Sequence, residues 1–126
     1  VSETIAARVG LVQRVLPAYR APFFDLLAQS CANGLSVFFG QPREDEALGV
    51  QGELKIAVPV QARNVHIARG KTYLCWQHGL TGWLEHWDPR VLIVEANPRY
   101  LSTPQAQRWM KSRRRPVNGW GLGIPL

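Results

Sequence analysis

The chain has 126 residues, 46% of them apolar, which is one domain's worth with enough apolar surface for a core and excludes a disordered tail. Its 15 Lys and Arg against 9 Asp and Glu give a formal net charge of +6, which favours an anionic partner: nucleic acid, a phosphorylated small molecule or a lipid surface. Cys31 and Cys75 are too few, and too far from CxxC spacing, for a disulfide framework, and read as two partly buried thiols in a reducing compartment. No basic segment followed by an apolar one opens the chain, and no stretch approaches the roughly 18 continuous apolar residues of a spanning helix. The expectation is a soluble, cytoplasmic protein; Val1 in place of Met reads as trimming or processing of the N-terminus.

Arg8–Val15 is a short β-branched run and reads as a first strand. Pro17 ends it, and Pro22 suits the first turn of a helix, where its missing N–H costs nothing. Phe23, Leu26, Leu27 and Cys31 keep helical spacing up to the Asn33-Gly34 stop, so this helix is expected over about 22–32. Leu35–Gly40 is a second strand, apolar enough to be covered on both faces. Residues 41–53 are loop, and Pro59 demotes Leu54–Val60 to an edge or to coil, leaving Asn64–Ala68 as the better third strand. Lys71–Gly79 has no clear period. Thr81–Trp87 is a short helix, Asp88-Pro89 a turn, and Val91–Glu95 the strongest strand signal. Ser102 and Gln105 have capping-box spacing, which starts a helix there that runs to about Arg113. Pro116–Trp120 is a final short strand, followed by a glycine-bearing loop. Strands alternating with helices predict an α/β fold: a Rossmann-like parallel sheet of order 3-2-1-4-5 with helices on both faces, one domain over 1–126.

In an open parallel sheet, ligands bind outside the carboxyl ends of the strands where strand order reverses. That singles out Arg14, Pro17, Tyr19 and Arg20 after the first strand, and Glu95, Asn97, Arg99 and Tyr100 after the fourth. Pro17–Pro22 reads either as a ligand-cleft loop or as a rigid turn. Glu95, at the tip of an apolar strand, is the candidate catalytic group, as a base or a hydroxyl binder; alternatively it accepts backbone N–H groups or pairs with Arg99. Gly119, Gly121 and Gly123 resemble a phosphate-cradling loop or form a plain turn, since no helix follows and GxGxxG is absent. Arg108, Lys111, Arg113, Arg114 and Arg115 form a basic run near a helix end, open to nucleic acid, to anionic lipid or simply to solvent. His66, His78 and His86 lack metal-ligand spacing, so no metal is assigned. Neither GxxxxGK[ST] nor GxSxG occurs, and none of Asp25, Asp45 and Asp88 ends a strand; these exclude a P-loop nucleotidase and a Ser hydrolase and count against a phosphoacceptor receiver domain.

The stretches Arg8–Phe24 (RVGLVQRVLPAYRAPFF), Leu35–Gly40, Trp76–Leu84 (WQHGLTGWL), Arg90–Leu101 (RVLIVEANPRYL) and Arg115–Gly123 (RPVNGWGLG), in this order, resemble the N-terminal domain of GT-B-fold glycosyltransferases of the large retaining group often called group 1 or family four. The resemblance implies an acceptor-binding half that faces a C-terminal nucleotide-sugar-binding domain of the same parent chain. The acceptor would be a saccharide or a lipid-linked sugar, and the enzyme would sit in the cytoplasm, peripheral to the inner face of the membrane. It implies no cofactor beyond the nucleotide-sugar donor of the full-length enzyme, and no turnover by this half alone. Pro17–Arg20 and Glu95–Tyr100 would line the inter-domain cleft, with Gly121 and Gly123 near the sugar diphosphate. One departure stands out: many members carry Gly-Gly in the loop after the first strand, where this chain has Leu16-Pro17-Ala18-Tyr19. The alternative reading of the residues is a small basic α/β nucleic-acid-binding module, against which stands the lack of any RRM, KH or helix-turn-helix signature.

Overall fold

In the computed structural model the described residues are 4–44, 46 and 51–120. They form β1 (Val9–Val15), α1 (Ala21–Gln29), β2 (Leu35–Gly40), β3 (Val58–Gln61), β4 (Arg63–Ile67), a 3-10 turn (Gly70–Thr72), β5 (Leu74–His78), α2 (Leu80–Trp87), β6 (Val91–Glu95), α3 (Ser102–Ser112) and β7 (Val117–Trp120). Five strands make one sheet in the order β3-β2-β1-β6-β7, every pair parallel. The fold is Rossmann-like α/β.

Two apolar layers hold it. On one face Phe24 and Ala28 of α1 pack on Val9, Leu11, Val37 and Phe39. On the other, Leu80, Trp83 and Leu84 of α2 and Ala106 and Met110 of α3 pack on Val12, Phe38, Leu92 and Val94. The two central strands alternate between these layers, so β1 and β2 are buried almost throughout. Burying side chains such as Phe24, Phe38 and Met110 stabilises the fold by about 1.5–3 kcal/mol each. Helix α1 stops at Gln29, short of the expected 32, and the turn that follows it closes on Gly34 at φ +96°. Only glycine takes that conformation without strain.

The strand assignments after residue 53 need correction. The third strand of the sheet is β3 with Pro59 inside it, not the Asn64–Ala68 run. Because β3 is an edge strand, the N–H that proline lacks is not missed by a neighbour. Only Ala62 separates β3 from β4, whereas two parallel strands need a crossover of about a dozen residues. The chain therefore turns away, and β4 pairs antiparallel with β5 as a separate two-stranded sheet. Strand β5 falls in the stretch without a readable period, since Trp76 and His78 point outward while Cys75 and Gln77 are buried.

Side-chain amides bolt this hairpin across the carboxyl ends of the main sheet. Asn64 Nδ2 donates to the carbonyls of Arg14 (2.6 Å) and Gln41 (3.0 Å). Gln77 Nε2 donates to the Gln13 carbonyl (2.8 Å) and to Asn64 Oδ1 (3.1 Å). Gly40 makes room, since a Cβ there would lie 2.1 Å from Asn64 Oδ1. On the far side, the Cys75 N–H donates to Arg99 O and Leu101 N–H to Cys75 O, tying β5 to the segment that leaves β6.

Helix α3 starts at Ser102 as expected, but not through a capping box. The Ser102 hydroxyl accepts from the Gln77 N–H (2.7 Å), and Gln105 Nε2 donates to Thr81 Oγ1 (2.7 Å). Its C-terminus is a Schellman turn: Arg115 N–H donates to Met110 O and Arg114 N–H to Lys111 O, with Arg114 at φ +55°.

Candidate functional site

The carboxyl ends of β1 and β6 diverge where the chain order of the sheet reverses, and a cavity of about 170 Å³ opens between them. Arg14, Pro17, Tyr19, Arg20, Glu95 and Tyr100 line it together with Val15. Six of the eight residues expected in a cleft therefore meet at one place. The other two serve the loop instead. Asn97 Oδ1 accepts from the Arg99 N–H (2.9 Å), and the Arg99 guanidinium donates to the carbonyls of Gly70, Lys71 and Tyr73 on the hairpin turn.

Glu95 ends β6 with its side chain only 15% exposed. Oε1 accepts from Arg20 Nη1 (3.1 Å), and Oε2 accepts from the backbone N–H of Arg14 (3.2 Å). The pairing partner is thus Arg20 rather than Arg99. Burial pushes the Glu95 carboxyl above its ordinary value, outweighing the Arg14 N–H and the Arg20 charge that oppose it. A carboxylate of raised basicity that faces a cavity accepts hydrogen bonds well and can take a proton.

Arg20 is held from three directions. It donates to Gln13 Oε1 (3.0 Å) as well as to Glu95, and its guanidinium lies 4.9 Å from the centre of the Trp120 ring. Gln13, fully buried in the middle of β1, gives its amide oxygen to this arginine while its Nε2 donates to the Val12 carbonyl. The Trp120 indole Nε1 is buried with no hydrogen-bond partner. Tyr19, at the cavity rim, is 75% exposed.

Arg14 is clamped by a residue outside the expected set. Glu46 accepts from both terminal nitrogens of Arg14 at 2.7 Å, a bidentate pair with both side chains nearly buried. Hydrogen bonding to Arg14 lowers the Glu46 carboxyl to about 2 against the opposing effect of burial, and the same bond raises the Arg14 guanidinium further. Behind them, Tyr73 Oη lies 3.4 Å from Arg14 Nη1 and 2.7 Å from His66 Nδ1. His66 Nε2 faces the Gln41 carbonyl at 3.0 Å, which accepts only, so Nε2 donates there. Burial and the Cys75 thiol push the Tyr73 phenol up to about 12.

Gln13, Glu46, His66, Tyr73 and Gln77 were not among the expected site residues. Gln13 carried a signal, being a polar residue at an interior position of an apolar strand. Glu46 and Tyr73 sit in segments whose pattern says nothing of where they fold.

The basic run divides. Arg115 pairs with Asp88 (2.6 Å), and Arg113 stacks on Trp109 (3.7 Å from the ring centre) within 3.8 Å of Glu85. Arg108, Lys111 and Arg114 are exposed and form no ion pair among the described residues. Gly121 and Gly123 lie outside the described residues. Among those described, no three His, Cys, Asp or Glu side chains gather as a metal site, and no helix is long and apolar enough to cross a membrane. No protein-family model, curated protein or solved structure matches the chain.

Proposed function

We propose that this chain is the acceptor-binding half of a nucleotide-sugar-dependent glycosyltransferase, with the acceptor held at the carboxyl ends of β1 and β6. The observation that carries the reading is the cavity of about 170 Å³ with Glu95 in its wall. It lies at the switch point where α/β sheets bind ligands, and it offers a buried carboxylate, two fixed guanidiniums and two tyrosines to a polyhydroxylated group. In this reading Glu95 accepts the hydrogen bond of an acceptor hydroxyl and orients it, and the opposing domain of the parent chain brings the sugar donor. The sequence resemblance supports the same assignment, and the Leu16–Tyr19 turn leaves donor-phosphate contact to other loops.

The test is transfer by the parent enzyme with Glu95→Gln. The reading expects a loss of kcat of about 10²-fold or more with the fold intact, and expects no turnover from residues 1–126 alone. An unchanged kcat removes Glu95 from the chemistry. A parent gene that encodes no nucleotide-sugar-binding domain ends the reading.

Arg108, Lys111 and Arg114 favour a second reading, a nucleic-acid-binding module; within the first reading they would seat the enzyme on an anionic bilayer. Anisotropy titration with RNA and DNA, and co-sedimentation with anionic vesicles, separate the two when run on wild type and on a variant with all three changed to Ser. Salt-sensitive nucleic-acid binding lost in the variant supports the module. Vesicle binding lost in the variant supports the bilayer.

A further inference from the structure

We infer that the cavity between β1 and β6 selects an uncharged sugar ring over a phosphorylated or acidic one, an inference that rests on the glycosyltransferase reading of the same site. The basis is the way its charges are consumed. The cavity has two guanidiniums in its wall, and each is already matched. Arg14 spends both terminal nitrogens on Glu46, and Arg20 spends Nη1 on Glu95 and Gln13. Arg99, the next cation along the chain, turns its guanidinium to the hairpin carbonyls and does not line the space. An anion entering here meets no unmatched cation among the lining residues, and it approaches the Glu95 carboxylate. It must shed its hydration beside cations that are already paired with carboxylates. A chain with a net charge of +6 would be expected to receive an anion, yet here both lining guanidiniums already face carboxylates.

What remains suits hydroxyls and C–H faces. Oε1 and Oε2 of Glu95 have lone pairs left after one hydrogen bond each, so a pair of neighbouring hydroxyls can donate to them. Tyr19, exposed at the rim beside Arg20, offers a flat apolar ring for the face of a pyranose. The volume of about 170 Å³ is below the 300–1,000 Å³ of pockets for drug-sized ligands. One ring fits, and a longer saccharide extends outside.

The test is an amide-resolved NMR titration of the whole chain with methyl α-D-glucopyranoside, glucose 6-phosphate and methyl glucuronide. In wild type the neutral glycoside should shift the Arg14, Tyr19 and Glu95 amides and bind at least about tenfold more tightly than either anion. Glu95→Gln strips Arg20 of its counter-charge, so glucose 6-phosphate should gain about tenfold while the neutral glycoside weakens. Arg20→Gln is the control that removes the cation instead, and it should leave glucose 6-phosphate without any gain. Glucose 6-phosphate binding the wild-type cleft as tightly as the neutral glycoside overturns the inference and leaves the saccharide reading standing. No sugar shifting these amides at any concentration overturns both.

Discussion

Replacing Glu46 by Gln removes the carboxylate that grips Arg14 through two 2.7 Å hydrogen bonds. Beside Arg14 the Glu46 carboxyl falls from 4.5 to about 2, a drop that corresponds to ~3 kcal/mol of folded-state stabilisation. The side chain is 11% exposed, so solvent screening reduces this little. Because the folded-state value is the depressed one, the contribution is fully present above pH 4.5 and is lost as pH falls toward 2. At pH 3 roughly 1.4 kcal/mol should remain. Urea denaturation of wild type and Glu46→Gln between pH 3 and 7, followed by tryptophan fluorescence, measures the gap between the two proteins. The gap should be ~3 kcal/mol at neutral pH and less than half of that at pH 3. A gap that does not change with pH, or one under about 0.5 kcal/mol throughout, rules out the Arg14–Glu46 pair as a source of stability. The same variant leaves Arg14 without its main partner in the cavity wall, so it should also increase the binding of anions there.

Gly40→Ala should cost about 2 kcal/mol or more, because its Cβ occupies the place of the Asn64 amide. Amide exchange across Arg63–His78 should accelerate more than exchange in β1. Arg114→Gly should stabilise the protein by about 1 kcal/mol in the same urea assay, since glycine takes φ +55° without the strain of a side chain. Asp25 accepts from the backbone N–H groups of Lys55, Ile56 and Ala57 at 2.9–3.0 Å. Burial alone would raise its carboxyl, but these three bonds outweigh it and hold it below its ordinary 3.8. Asp25→Asn should therefore lower stability at neutral pH, with the difference shrinking as pH falls below 3.8.

The parallel architecture was legible because β1, β2 and β6 are apolar, β-branched and separated by segments with helical spacing. The position of the cleft was legible for the same reason, since strand order alone locates the switch point. The hairpin was not. Strands β4 and β5 are short and half-exposed, and side-chain amides seat them, with three hydrogen bonds from Asn64 and Gln77 to the main sheet, an arrangement with no periodic signature. Pro59 allowed an edge strand, which is what β3 is, and the error lay in giving its place in the sheet to Asn64–Ala68. Glu46 was hidden for a different reason. It lies in a polar loop, and its partner Arg14 is 32 residues away, so only the folded chain reveals that the two form a pair.

The hairpin joins contacts of very different sequence separation. Strands β4 and β5 are near neighbours in the chain and can pair within microseconds. Their anchors are remote, because Asn64 must find Arg14 across 50 residues and Gln77 must find Gln13 across 64. Those bonds need β1 and the end of β2 in place, so docking of the hairpin depends on the central strands. Its hold on the sheet is mainly polar, through the Asn64 and Gln77 amides, the Cys75 and Leu101 backbone bonds and the Gln77 N–H to Ser102. The wall that Tyr73 and His66 build behind Arg14 therefore rests on contacts made across long stretches of chain.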